Sequence, residues 1–144
     1  LDSIVKKADF MQRAVSHLGL DLTRVQKERA ETLARNGVHR GGYDLVVARA
    51  VSKLNVLVEL TIPFCKIGGF IIAMKGRKVE AEIAASADAI MALGGEIVDV
   101  IDCSELHGFL EGYLVVLKKV LPTSERFPRR PGIPSKRPIS GSGG

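Results

Sequence analysis

Four residues stand where strand-like runs of the sequence end: Asp2, Glu31, Arg49 and Lys75. In an open parallel sheet, ligands sit outside the carboxyl ends of the strands, so these positions are the first to question for chemistry. A carboxylate at Asp2, just ahead of a helical segment, can accept hydrogen bonds from both hydroxyls of a ribose or serve as a helix N-cap. Glu31 can accept from an exocyclic amine or act as a first-turn acid that satisfies a helix dipole. Arg49 directly follows Val46-Val47-Ala48, so a cation leaves an apolar strand and calls for an anionic or carbonyl partner, a ligand or a local acid. Lys75, Arg77 and Lys78 lie in Met-Lys-Gly-Arg-Lys, where Gly76 permits close backbone approach; these cations suit a phosphate or a solvated loop equally.

Other chemistries lack their residues. No Gly-x-Gly-x-x-Gly opens a helix after a strand, no nucleophile–base pair stands out, and His17, His39 and His107 have no metal-ligand spacing. Aromatics are 5%, too few for a platform that stacks single-stranded bases. Cys65 and Cys103 lie 38 positions apart among apolar neighbours, which predicts two buried free thiols in a reducing compartment. No apolar run reaches the roughly 20 residues of a membrane span, and the first residues do not read as a signal segment.

The 144 residues carry 21 Lys plus Arg against 16 Asp plus Glu, with 46% hydrophobic residues, the composition of one globular domain. The net charge of +5 is unevenly placed. From Lys118 onward there are seven basic residues and one acid, Glu125, whereas the preceding body is −1. Five of the six prolines lie in the same stretch, so residues 121–144 are expected to run extended, as a polyanion-binding arm or a solvated linker.

Apolar spacing predicts a helix over 4–18 ending at Gly19, a short strand over 22–26, and a helix over 29–36. The continuous run 43–49 predicts a strand buried on both faces, as in parallel sheets. A helix over 52–64 follows, with Ser52 as N-cap and Leu54, Leu57, Val58 and Thr61 inward. Gly68-Gly69 turns the chain into a strand over 70–75. A single helix over 78–92 is expected to present Val79, Ile83, Ala87 and Ile90 on one face, with a Lys78–Glu82 pair. Strands over 96–103 and 112–120 pair antiparallel. This is an α/β fold with a mostly parallel sheet and an antiparallel C-terminal hairpin. There is no internal repeat, and low complexity is confined to 140–144.

The ordered motifs resemble the RsmG (GidB) family. They run from Leu1-Asp2-Ser3 with Lys6-Lys7 and Phe10, through Arg29-Ala30-Glu31 and Tyr43-Asp44, to Ala48-Arg49-Ala50-Val51. They continue through Pro63, Gly68-Gly69, Met74-Lys75-Gly76, Leu93-Gly94-Gly95-Glu96 and Leu114-Val115-Val116. They close with Pro122-Thr123, Phe127-Pro128-Arg129-Arg130-Pro131-Gly132-Ile133-Pro134 and Lys136-Arg137-Pro138, the most specific part. The resemblance implies a Rossmann-like class I methyltransferase that uses S-adenosylmethionine to methylate a guanine N7 in small-subunit (16S) ribosomal RNA, in the cytoplasm or an organellar stroma. It places cofactor contacts on Asp2, Ala30, Glu31 and Arg49. The placement of charge, read with that substrate, makes Lys75, Arg77, Lys78, Arg126, Arg129, Arg130, Lys136 and Arg137 the candidate RNA contacts. Neither a metal nor a membrane is expected.

Two departures from the family pattern are visible. The family's usual Arg-His before Leu-Val-Val is Gly112-Tyr113 here. The first strand and its glycine-rich turn would lie upstream of Leu1, so the chain reads as a partial methyltransferase domain over 1–120 followed by the basic tail. On that reading the chain alone is not expected to transfer a methyl group, and the tail is expected to supply RNA affinity without cofactor affinity. A non-catalytic fragment or RNA-binding remnant is the competing class, and a dinucleotide-binding dehydrogenase a weaker third.

Overall fold

A computed structural model describes residues 1–49, 52–106 and 111–140. Ala50-Val51, the stretch 107–110 with His107, and the Gly-Ser end over 141–144 lie outside the described residues. Four strands, β1 (Tyr43–Arg49), β2 (Cys65–Lys75), β3 (Gly95–Asp102) and β4 (Tyr113–Lys119), form one sheet in the order β1-β2-β4-β3. β1 pairs parallel with β2, while β4 pairs antiparallel with both β2 and β3. Three strands therefore point the same way, and β4 alone is reversed between β2 and β3. This is the expected Rossmann-like sheet with its antiparallel C-terminal hairpin. The first strand and glycine-rich turn have no counterpart among the described residues.

The core lies under one face of that sheet. Helix α3 (Leu54–Thr61) joins β1 to β2 and buries Leu54, Leu57, Val58 and Thr61, the four residues expected inward. Helix α5 (Ala87–Leu93) packs beside it with Ala89, Ile90 and Leu93. From the sheet come Ile71 and Ala73 of β2 and Val115 and Leu117 of β4, alternate residues as a pleated strand requires. The other face stays partly open at Phe70, Met74 and Val98. Burial of the apolar runs on both faces is thus not what the structure shows, because α3 and α5 cover only one. β1 departs furthest: it is an edge strand, with Ala48 its one buried residue.

Helix α1 (Val5–His17) ends as expected at Gly19, closed by hydrogen bonds from Gly19 N–H to Ser16 O and from Leu20 N–H to Val15 O. Only its Ala8 is buried. Residues 22–26 form no strand; Leu22 is 99% exposed, and a single backbone bond, Asp2 N–H to Gln26 O at 3.1 Å, ties this segment to the N-terminus. Helix α2 is shorter than expected (Ala30–Leu33), giving way to successive turns.

Three further expectations are corrected. Ser52 does not cap α3: its hydroxyl meets Lys53 O, and the Leu54 N–H donates instead to Glu82 Oε2 at 2.7 Å. The single helix over 78–92 is two, α4 (Val79–Ala84) and α5, broken where the buried Ser86 hydroxyl bonds back to Ile83 O. The break shifts the helical phase, so Ala89 is buried and Ala87 is not. The strand over 70–75 begins earlier, at Cys65, with an irregular register opposite Tyr43–Leu45. After α5, Gly94 adopts φ +82° against Leu121, where a Cβ would collide with the Leu121 carbonyl. β3 gives way at Cys103 to a single helical turn, α6 (Cys103–Leu106).

The tail does not run free. Phe127 and Pro128 are buried, and residues 133–136 form a single turn, α7 (Ile133–Lys136), with Pro134 near its start where a missing N–H costs nothing. Arg40 ties the tail down, donating to Phe127 O at 2.8 Å and Thr123 O at 2.9 Å. Arg35 donates to Pro128 O at 2.6 Å.

Candidate functional site

A cleft of about 840 Å³ runs along the open side of β1, walled opposite by residues 1–3 and 24–33. It brings together Asp2, Ala30, Glu31 and Arg49, drawn from the N-terminus, the start of α2 and the end of β1. Tyr43, Val47 and Phe64 give it an apolar floor. Asp2 accepts from the Ile4 N–H through Oδ1 at 2.8 Å, an Asx turn leading into α1. The N-cap of α1 is Ile4, without a side-chain cap, so Asp2 is not the cap the sequence allowed; its Oδ2 has no hydrogen bond among the described residues. Glu31 sits in the first turn of α2 at 5% exposure, its Oε1 accepting from Gly132 N–H at 2.9 Å with Arg29 Nη2 3.6 Å away. Arg49, the last residue of β1, is exposed and has no ion pair among the described residues. The local acid that would make it a structural pair is not found there.

The basic residues divide. Lys75 is internal: its Nζ lies 2.6 Å from Glu82 and donates to Ser52 O at 2.7 Å, with the side chain 8% exposed. With the Glu82 cap on Leu54, this pair braces the chain just after β1, and it replaces the expected Lys78–Glu82 pair. Arg129 is also internal. Its backbone N–H reaches Glu59 Oε1 at 2.8 Å, and its guanidinium forks onto both oxygens, the closest at 2.7 Å. Glu59 is fully buried in α3, and a buried carboxylate requires such a partner. Lys75 and Arg129 therefore leave the set of cations open to a polyanion. Arg77 forms a surface pair with Glu111, Lys78 precedes α4, and Arg126 lies over the Phe127 ring at 4.7 Å. Arg130, Lys136 and Arg137 are exposed.

Several residues in this arrangement carry no local signal in the sequence. Arg40 and Glu59 act over 70 or more positions of chain. Lys119 is buried, donates to Cys65 O at 2.8 Å, and is held below its usual lysine range by loss of hydration. Burial likewise raises the Cys65 thiol, whereas Cys103 is only half-buried, against the expectation of two buried thiols. Asp44 is lowered by its hydrogen bond from Lys66. No group of three or more His, Cys, Asp or Glu is placed to hold a metal, and no helix is long and apolar enough to cross a membrane, among the described residues.

Residues 1–108 match the family model described as GidB, rRNA small subunit methyltransferase G. Curated proteins named ribosomal RNA small subunit methyltransferase G are similar along nearly the whole chain. That of Alkaliphilus metalliredigens is 40% identical and that of Pelotomaculum thermopropionicum 41% identical, each over 96% of this chain and 58% of the relative. That of Deinococcus radiodurans is 42% identical over 96% of this chain and 55% of its own length. The chain spans a little over half the length of the curated relatives it matches. With three-quarters of its residues inside the family model, the chain belongs to the GidB family.

Proposed function

We propose that this chain contributes the nucleoside and RNA side of an S-adenosylmethionine-dependent methyltransferase acting on a guanine N7 of small-subunit ribosomal RNA. The observation that carries the reading is the convergence of Asp2, Ala30, Glu31 and Arg49 on one cleft. The cleft has the size and mixed polarity of a small-molecule site. Its residues fit the cofactor: the carboxylates of Asp2 and Glu31 each have an oxygen available for ribose hydroxyls or an amine, and the Arg49 guanidinium suits a carboxylate. When bound, S-adenosylmethionine supplies an electrophilic methyl group.

Guanine N7 carries its own lone pair, so the chain's residues are needed to bind and orient, not to remove a proton. This accounts for a sequence in which no nucleophile–base pair stands out. An arginine forking onto guanine O6 and N7 would occupy the reacting lone pair, which assigns Arg49 to the cofactor carboxylate or to O6 alone. Arg77, Lys78, Arg126, Arg130, Lys136 and Arg137 provide phosphate contacts, which position RNA without reading its sequence. The cytoplasm, or an organellar stroma, is the compartment where such an RNA is met.

A non-catalytic RNA-binding role is the second reading, favoured by exposed tail cations that need no cleft to act. Titration calorimetry separates the two. On the enzyme reading, the chain and a version extended upstream both bind S-adenosylmethionine, the extended one far more tightly, and Arg49→Ala weakens both. No cofactor binding by either, with RNA binding retained, would decide for the second reading.

A further inference from the structure

We propose that the turn Arg129–Ser135 of the basic tail is a positioning element of the cleft, with Arg129 its anchor and the Gly132 amide its working group. The proposal rests on the reading of the cleft as a nucleoside site and adds to it a part of the chain otherwise assigned to polyanion contact.

The anchor engages every oxygen it has to hold. Glu59 is 0% exposed, and both its oxygens are engaged by residue 129: the backbone N–H at 2.8 Å, Nε at 3.0 and 3.2 Å, and Nη2 at 2.7 Å. Main chain and side chain of residue 129 are thus fixed to α3 together. Three residues later, Gly132 turns at φ +81° and donates its N–H to Glu31 Oε1 at 2.9 Å. A Cβ at Gly132 would meet nothing within 4 Å, so glycine serves the backbone conformation and not a steric fit. The turn is closed by Ile133 N–H to Arg130 O at 3.0 Å and Lys136 N–H to Gly132 O at 3.2 Å, with Pro134 buried beneath it. Ser135 then lines the cleft itself.

Glu31 is therefore held from across the molecule. One oxygen meets Gly132, which fixes the rotamer and leaves Oε2 to accept from a ligand. A carboxylate already oriented loses less freedom on binding than one free to rotate. The exposed Arg130, Lys136 and Arg137 flank this same turn, so one short segment serves both cleft and polyanion. The tail then contributes to cofactor affinity as well as to RNA affinity, contrary to the expectation from sequence.

The test uses the full chain. Arg129→Met alone leaves Glu59 charged, buried and unpaired, so it is combined with Glu59→Met. Gly132→Ala is the second variant; it strains the positive φ while leaving the Glu59 pair intact. Amide hydrogen exchange at residue 132 and over 29–33 is measured beside S-adenosylmethionine titration. Both variants are expected to speed exchange at residue 132 about tenfold and weaken S-adenosylmethionine about tenfold, with exchange in β2 and β4 unchanged. Arg129→Lys, which keeps the charge and loses the fork, should fall between these variants and the parent. Unchanged exchange at residue 132 in both variants overturns the proposal, as does unchanged cofactor affinity where exchange has risen. If the parent chain binds no S-adenosylmethionine, the nucleoside reading fails, and the exchange data alone decide whether Arg129 positions Glu31.

Discussion

β1 and β2 carry nearly the same apolar run, and its two faces meet opposite fates. Leu45-Val46-Val47-Ala48 aligns residue for residue with Phe70-Ile71-Ile72-Ala73. On the face covered by α3 and α5, Ile71 and Ala73 are completely buried and Ala48 nearly so. On the outer face of the edge strand, Leu45 and Val47 are each 52% exposed. An apolar run states a demand for cover, and a neighbouring element has to meet it. β2 has strands on both sides; β1 has one among the described strands, and the cleft lies along its other side.

The largest effect is expected where the covered half depends on charge. Arg129→Ala leaves the fully buried Glu59 without its partner, and breaking a buried pair from one side costs about 3–5 kcal/mol. Urea unfolding measures it. The double variant Arg129→Met with Glu59→Met should recover most of the loss, since no charge then remains buried. A cost under about 1 kcal/mol for Arg129→Ala, the range of a solvated ion pair, would mean that the tail is not docked on α3 in solution.

Next is the comparison of the two faces. Ile71→Ala removes a side chain with no exposed surface and should cost about 2–5 kcal/mol. Val47→Ala, on the half-exposed outer face of β1, should stay within about 1 kcal/mol by the same denaturant measurement. Equal costs would show that the outer face of β1 is covered in solution and would end the contrast between the faces.

How far this was legible depends on the range of the interaction. The limits of β1, those of β4 to within one residue at each end, and the inward face of α3 follow from local patterns, and the structure keeps them. The one-sided burial of β2 was not visible, because Ile71-Ile72 is continuous in sequence and only the placement of α3 decides which residue is covered. The break at Ser86 depends on one hydroxyl bonding back into its own helix. The docking of the tail depends on Arg40, Glu59 and Arg129, charges that read as surface residues until 70 or more positions of chain bring them together. Asp2, Glu31 and Arg49 were marked by strand ends, and Ala30 by family resemblance; that all four share a cleft is a tertiary fact. Lys75 and Arg129 show the limit of reading cations from position and charge alone, since both are taken up by carboxylates of this chain.

Lys119 gives the covered half a pH signature. Its folded pKa lies below the ordinary 10.5 because burial disfavours the charged form. The unfolded chain then binds the proton more tightly. The penalty is fully present below the folded pKa, and stability rises as pH climbs from that value toward 10.5. Lys119→Met should remove this contribution, so the difference in unfolding free energy between parent and variant should narrow as pH rises through that window. A difference independent of pH would place Lys119 in water and loosen the packing of β4 against Cys65.

The smallest effect on stability is expected at Val47→Lys, and it sharpens the comparison most cheaply. The side chain is half exposed on a strand whose outer backbone edge has no partner among the described strands. A lysine there gives up little buried apolar area, so unfolding should shift by no more than about 0.5 kcal/mol. An unpaired apolar edge is also a template for another chain's strand, and an edge lysine is how such pairing is opposed. Light scattering across a concentration series should therefore show less self-association for Val47→Lys than for the parent at equal stability. A loss of about 2 kcal/mol or more, the scale of burying an unpaired polar group, would mean that residue 47 is enclosed. Unchanged association would mean that β1 is not the surface through which copies meet.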